Sequence, residues 1–188
     1  MSHVIETPRL RLVAMSAAFL ESSLAGDRAA AEGLIDAGVP DAWPDHVALL
    51  RMRLRQLQEQ PALAPWLLRA IVVRGNRRMI GHVGFHGAPG ADHLARLAPG
   101  GAELGYSVFG AAQGQGHATE AAAGLMGWAH TAHGVTRFVV SIRPDNAPSL
   151  AVARKLGFHR IGQHVDEEDG LEHVFLRELP EAVTLASP

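Results

Sequence analysis

The segment Gln113-Gly114-Gln115-Gly116-His117-Ala118 places two glycines where a strand pattern gives way to a helix pattern. A helix start leaves about four main-chain N–H groups without intrahelical partners and carries the positive end of the peptide dipoles. Glycines let such backbone approach an anion closely, so the segment can form a phosphate cradle. A glycine-rich turn that binds nothing uses the same letters, and Gly-x-Gly by itself does not separate the two. Two familiar phosphate loops are excluded. A dinucleotide fingerprint needs a third glycine where Thr119 stands and an acidic residue about 20 positions on, where Val139, Val140 and Ser141 lie. A P-loop needs lysine and a hydroxyl residue after Gly116, which is followed by His117 and Ala118.

The 11 histidines raise the question of a metal. His82 and His86 fall on the same face of a predicted strand, and His130 and His133 lie one helical turn apart. Neither pair has a third ligand at matching spacing. No metal is expected, and the histidines are read as solvated or hydrogen-bonded. Arg51, Arg53 and Arg55 are read as a solvated helix face that could also draw an acidic acceptor.

The elements that would position these residues follow from periodicity and punctuation. Residues 9–13 alternate as a short strand, and Ser16 then caps a helix carrying Phe19, Leu20 and Leu24 up to Gly26. Two helices are predicted over residues 28–37 and 45–60, with Gly38, Pro40 and Pro44 as breaks. Residues 66–74 and 79–87 read as a hairpin turning at Gly75 and Asn76, residues 88–101 as a loop, and residues 103–108 as a strand. Residues 117–133 form a helix whose apolar stripe is Ala118, Ala121, Ala122, Leu125, Ala129 and Ala132. Residues 137–142, with Phe138, Val139 and Val140 in succession, read as a strand buried on both faces. Strand, helix and buried strand in that order imply a right-handed crossover. Asn146 caps a helix running to Leu156, with Pro148 in its first turn and Gly157 as a left-handed C-cap. Residues 159–165 and 171–178 close the pattern as a hairpin turning at Asp169 and Gly170, and the tail beyond Pro180 is expected to fray. The fold class is α/β: a mixed central sheet, antiparallel in its first half, with one parallel pair and flanking helices.

Composition narrows the functional classes. At 188 residues, one domain with a sizeable core is expected, and 47% hydrophobic against 19% charged residues excludes wholesale disorder. A net charge of −2 supplies no broad basic surface for nucleic acid or anionic membrane. The lack of cysteine excludes disulfides, thiol nucleophiles and cysteine-ligated zinc, and the cytoplasm is the expected compartment. Residues 1–11 lack the apolar run of a signal peptide, so no targeting segment is expected, and no stretch reaches the roughly 18 apolar residues of a membrane span.

Gln113, Gly116 and Ala118 match the pattern Gln/Arg-x-x-Gly-x-Gly/Ala, which resembles the acetyl-CoA loop of the GNAT superfamily of N-acetyltransferases. Glu103-Leu104-Gly105-Tyr106 looks like the acidic strand of that family, and Thr119-Glu120-Ala121 like its helix opening. Asn146-Ala147-Pro148-Ser149 and Lys155-Leu156-Gly157-Phe158 resemble its Asn-x-x-Ser helix and Leu-Gly-Phe exit. With Thr7-Pro8-Arg9-Leu10-Arg11-Leu12, the pattern is most similar to the ribosomal-protein N-terminal (RimJ/RimL-like) branch. The clear resemblance covers residues 103–158; residues 27–60, where the family usually recognises its acceptor, match only in being helical.

The resemblance implies a GNAT fold whose parallel pair is splayed, with Gly105 permitting a bulge or close backbone approach. It implies acetyl-CoA as cosubstrate and direct attack by a primary amine in a ternary complex. Main-chain amides of Gln113, Gly114, Gln115, Gly116, His117, Ala118 and Thr119 would hold the pyrophosphate, with the His117 ring near a phosphate. Asn146 would serve as coenzyme contact, as N-cap, or as both. A main-chain N–H near Val108 would polarise the thioester carbonyl, a contribution typically worth ~10²–10³ in rate. Glu103 would be the base, directly or through water, or else a solvated strand residue or the partner of an arginine. A free glutamate titrates at about 4.3 and an α-amine near 8, so either burial raises this carboxylate or water relays the proton. Glu168 and His164 are rival bases. Ser149 would protonate or orient the departing thiolate where many members use tyrosine, or else be a polar residue one turn inside its helix. Tyr106 would pack in the core or touch the pantetheine. The expected acceptor is a protein or peptide N-terminal α-amine. A small amine (amino acid, polyamine or aminoglycoside) and a non-catalytic coenzyme-binding sensor are the other readings, and a homodimer is compatible with the sequence.

Overall fold

The computed structural model describes residues 4–41, 43–166 and 170–180. Among them the strands are β1 (Val4–Glu6), β2 (Leu10–Ala14), β3 (Arg69–Val73), β4 (Arg78–Phe85), β5 (Ala102–Val108), β6 (Arg137–Ile142), β7 (His159–Asp166) and β8 (Gly170–Glu178). The α-helices are α1 (Ala17–Leu24), α2 (Arg28–Ile35), α3 (Val47–Glu59), α4 (His117–His133) and α5 (Ala147–Lys155). The strands form one sheet in the order β1-β2-β3-β4-β5-β6-β8-β7. Only β5 and β6 run parallel; the other neighbours are antiparallel.

Local chemistry explains most boundaries. Ser16 accepts the Phe19 N–H and starts α1, Asp27 accepts the Ala30 N–H and starts α2, and Asn146 accepts the Ser149 N–H and starts α5. Helix α4 is bracketed by Gly116 and Gly134, both left-handed, and β6 spans the expected residues. Strand β1 carries too few residues to show a period, so sequence reading did not find it. The structure also begins β3 at Arg69 rather than Trp66. Trp66 and Leu68 instead give their carbonyls to the N–H groups of Phe85 and Met15. In the β3–β4 turn the left-handed residue is Arg77 and not Gly75, with the Asn76 side chain accepting the Arg78 N–H.

One face of the sheet buries Leu12, Ile71, Val83, Phe85, Leu104, Phe138 and Val140 against Ala121, Ala122, Leu125 and Ala129 of α4. The small side chains bring that helix close to the strands. Ala132, expected in the stripe, is exposed; the last turn is finished by His130, whose Nδ1 meets the Val135 carbonyl at 3.0 Å, and by His133 packed on Trp66 and Trp128. The opposite face packs Phe19, Leu20, Ile35, Trp43, Leu50 and Leu57 from the α1–α3 region. Arg53 departs from the expected solvated arginine face. It is 6% exposed, and its Nη1 donates to Gln56 Oε1 and to the His86 carbonyl. Residues 88–101 are more than a loop, because a short 3-10 turn at Asp92–Leu94 lays Leu94 and Ala98 on Val139, Val174 and Leu176.

Candidate active site

Strands β5 and β6 pair only at Ala102↔Phe138 and Glu103↔Val139 and then diverge. Gly105 carries no bulge in its pairing with Gly84, so the splay does not come from a kink there. Along β5 the main chain alternates edges. The Glu103 carbonyl and the Phe109 N–H both bond to the β4 side, at His86 and Ile80. Strand periodicity therefore turns the N–H groups of Leu104, Tyr106 and Val108 toward β6, which has moved away and left them facing the gap.

On the α4 side a cleft of about 480 Å³ runs from Tyr106, Ser107 and Val108 past Gln113, Gly114, Gly116, His117, Ala118 and Thr119 to α5. Gly114 (φ 72°) and Gly116 (φ 81°) occupy the left-handed region, which a residue with a Cβ adopts only at a cost. The Glu120 N–H makes an intrahelical bond to Gly116 O, and helix geometry directs the preceding N–H groups out of the helix end. The two glutamines brace the loop through their side chains. Gln113 Nε2 donates to the Val108 carbonyl at 2.7 Å, and Gln115 Nε2 to the Ala111 carbonyl at 2.8 Å. The His117 ring is buried, with Nδ1 3.2 Å from the Ala112 carbonyl. A carbonyl only accepts, so the nitrogen that meets it carries the proton, and His117 also lines the cleft. Lys155, which the sequence resemblance placed only at the exit of α5, also lines this cleft and gives it a cation.

A second cavity of about 200 Å³ fills the gap between the diverging strands, lined by Leu104, Gly105, Val140, Ser141, Ile142 and Glu172. Tyr106, Asn146 and Ser149 border both cavities. The Tyr106 hydroxyl donates to the Ser149 carbonyl at 3.3 Å, and burial pushes its phenol up to about 12.

Glu103 lies on the sheet face opposite α4. Its Oε1 accepts the Ser141 hydroxyl at 2.6 Å, while Oε2 meets His93 Nε2 at 2.8 Å and His86 Nδ1 at 3.5 Å. Burial by itself would push this carboxyl up, but His86, Ser141 and His93 together outweigh it and hold the group at about 2. The expectation that burial raises this carboxylate is therefore reversed. His164 Nε2 lies 3.4 Å from Glu172 Oε2 on the β7–β8 hairpin, and Glu168 lies outside the described residues. Sequence reading missed His93 as a partner of Glu103, because its loop shows no period.

Among the described residues no group of three or more His, Asp or Glu side chains could hold a metal ion. His82 departs from the solvated or hydrogen-bonded expectation. It is buried against Trp43, His46 and Phe109 with neither ring nitrogen partnered, and burial, followed by the neighbouring His46 and Arg53, lowers it to about 4.

The comparisons agree with this geometry. The family described as acetyltransferase (GNAT) domain matches residues 9–159. A GNAT-family acetyltransferase from Bordetella pertussis superposes with TM-score 0.65 at 26% identity, covering 94% of this chain and 99% of that one. RimL, a ribosomal L7/L12 α-N-protein acetyltransferase in complex with coenzyme A, gives 0.63 at 20% identity over 94% and 98% of the two chains. The microcin C7 self-immunity acetyltransferase MccE, in complex with acetyl-CoA and AMP, gives 0.60 at 19% over 92% and 94%. No curated protein matches the chain in sequence. A cleft ending on a glycine-started helix, beside two parallel strands that part, suits a pantetheine thioester carried by a diphosphate. The chain belongs to the GNAT acetyltransferase family and is an acetyl-CoA-dependent N-acetyltransferase.

Proposed function

We propose that the chain acetylates the N-terminal α-amine of a peptide or protein by direct attack in a ternary complex. The observation that carries this reading is that Tyr106, Asn146 and Ser149 border both cavities. A thioester entering along α4 would meet, at that junction, an amine entering from the Glu103 side. The main-chain amides of the loop and first turn of α4, Gln113 to Thr119, hold the pyrophosphate, and the Val108 N–H, on the open edge of β5, faces the developing oxyanion. Ser149 supplies or orients the proton for the leaving thiolate, with the Tyr106 phenol as its neighbour.

The choice of amine rests on proton affinity. A lysine ammonium at about 10.4 would need a strong base, whereas an α-ammonium near 8 is already partly neutral at physiological pH. A carboxylate held at about 2 is a weak base, which favours the α-amine. The likeness to RimL supports the same choice. The cysteine-free sequence supports action in the cytoplasm. Calorimetry with acetyl-CoA, followed by thiol release on a panel of free-N-terminus peptides, N-blocked lysine peptides and small amines, tests the reading. Turnover confined to the free-N-terminus peptides is expected; turnover confined to small amines overturns it.

A further inference from the structure

We infer that His86, rather than Glu103, takes the proton from the acceptor ammonium, with Glu103 acting on it from the other side of the ring. This rests on the acetyl-transfer site proposed above. His86 follows directly on β4, and its ring lies along β5 between two landmarks on one strand face. Its Nδ1 faces the Glu103 carboxylate at 3.5 Å, and its Nε2 sits 3.0 Å from where a Cβ on Gly105 would stand. Gly105 itself lines the gap between the parting strands, and the absence of a side chain there is what lets the imidazole lie against β5 beside it. The backbone of His86 is fixed at both ends. Its N–H donates to the Glu103 carbonyl at 2.8 Å, and its carbonyl accepts from the buried Arg53 at 3.0 Å. The ring keeps 44% of its side-chain surface, so a substrate can reach it.

With Nδ1 facing the carboxylate at 3.5 Å, the acid favours the proton on that nitrogen, which would leave Nε2 as the lone pair. Glu103 is suited to orienting and unsuited to accepting, since both oxygens already receive hydrogen bonds. His93 is held by the same carboxylate through Nε2. It rides on the 92–94 turn, and none of its atoms comes within 4 Å of the Gly105 Cβ position. In the step, Nε2 takes a proton from R–NH₃⁺, the freed amine forms the C–N bond, and the C–S bond breaks. One proton of the new amide nitrogen ends on the CoA sulfur, and the imidazolium returns its own to solvent. Among the described residues, the titratable and charged groups around His86 are Glu103 from β5, His93 of the 92–94 turn, held by the same carboxylate, and Arg53 from α3.

The test is the pH dependence of thiol release with a turned-over amine, alongside ¹⁵N spectra of the histidine rings. His86→Gln is expected to lower kcat about 10²–10⁴-fold, the usual reach of general-base catalysis, with acetyl-CoA affinity unchanged and the acid limb of the profile abolished. His93→Gln is expected to cost less than tenfold and keep that limb. Gly105→Ala, which pushes a methyl into Nε2, is expected to lower kcat like His86→Gln. Retention of rate and limb in His86→Gln, or loss of the limb in His93→Gln, overturns the inference. Should no amine be turned over, the acceptor reading falls alone. The ring spectra then still decide: neutral His86 protonated at Nδ1 supports the assignment, and protonation at Nε2 rejects it.

Discussion

The Glu120 carboxylate grips Arg9 twice, with Oε1 accepting the main-chain N–H at 2.7 Å and Oε2 the guanidinium Nε at 2.6 Å. Oε1 also accepts the Thr7 hydroxyl at 2.7 Å, and Arg9 Nη1 reaches on to the Gln115 carbonyl at 3.0 Å. The turn between β1 and β2 is thereby locked onto the loop that starts α4. Gly124 adds to the closeness, since a Cβ there would stand 2.6 Å from Thr7 Cγ2.

Glu120→Ala removes an acceptor from three donors in a partly buried site. A loss of about 1–3 kcal/mol in unfolding free energy is expected, seen as a drop of several degrees in Tm. Weaker acetyl-CoA binding should accompany it, because Gln115 loses its brace; unchanged affinity by calorimetry would separate the lock from the loop.

Gly116→Asp combines a left-handed backbone position with a negative charge in the loop proposed to hold the diphosphate. The strain of about 1–2 kcal/mol and a comparable electrostatic cost predict acetyl-CoA binding weakened about a hundredfold. Gly116→Ala, carrying the strain alone, should lie between this variant and wild type in the same titration.

Ser149→Ala should lower kcat by tenfold or more while leaving acetyl-CoA affinity intact, as a group acting on the leaving thiolate would. Tyr106→Phe also removes the donor to the Ser149 carbonyl, so a smaller loss is expected. If the phenylalanine variant is the more damaged of the two, the proton comes from Tyr106.

Two buried groups give distinguishable acid lability. Glu103 is held at about 2 in the fold against about 4.3 unfolded, so its stabilisation is present above about pH 4.3 and lost as pH falls toward 2. His82 sits at about 4 against about 6.5 unfolded, so the unfolded chain binds the extra proton first and stability declines between about pH 6.5 and 4. Unfolding of His82→Phe followed against pH should lack the upper decline. Its stability at pH 7 should match or exceed wild type, because a polar ring with two unpartnered nitrogens has been replaced by an apolar one.

The local grammar of the chain was enough to place the glycine loop and the helices and strand around it. Gly116 and Gly134 bracket α4, Asn146 caps α5, and the unbroken Phe138-Val139-Val140 run marks the buried strand, because caps and periodicity act over a few residues. Those signals put Gln113 to Thr119 at a helix start next to β5 without any long-range information. The cluster around Glu103 was decided by tertiary structure. Glu103 meets His86, His93 and Ser141 only because the β4–β5 pairing, the 92–94 turn and the parallel strand β6 converge on one sheet face. Arg53 and His82 were misjudged for the same reason. Residue type indicates what a side chain prefers, whereas burial and hydrogen-bond partners depend on segments tens of residues away in the chain. The low proton affinity of Glu103 is likewise a property of three neighbours that no local pattern announces.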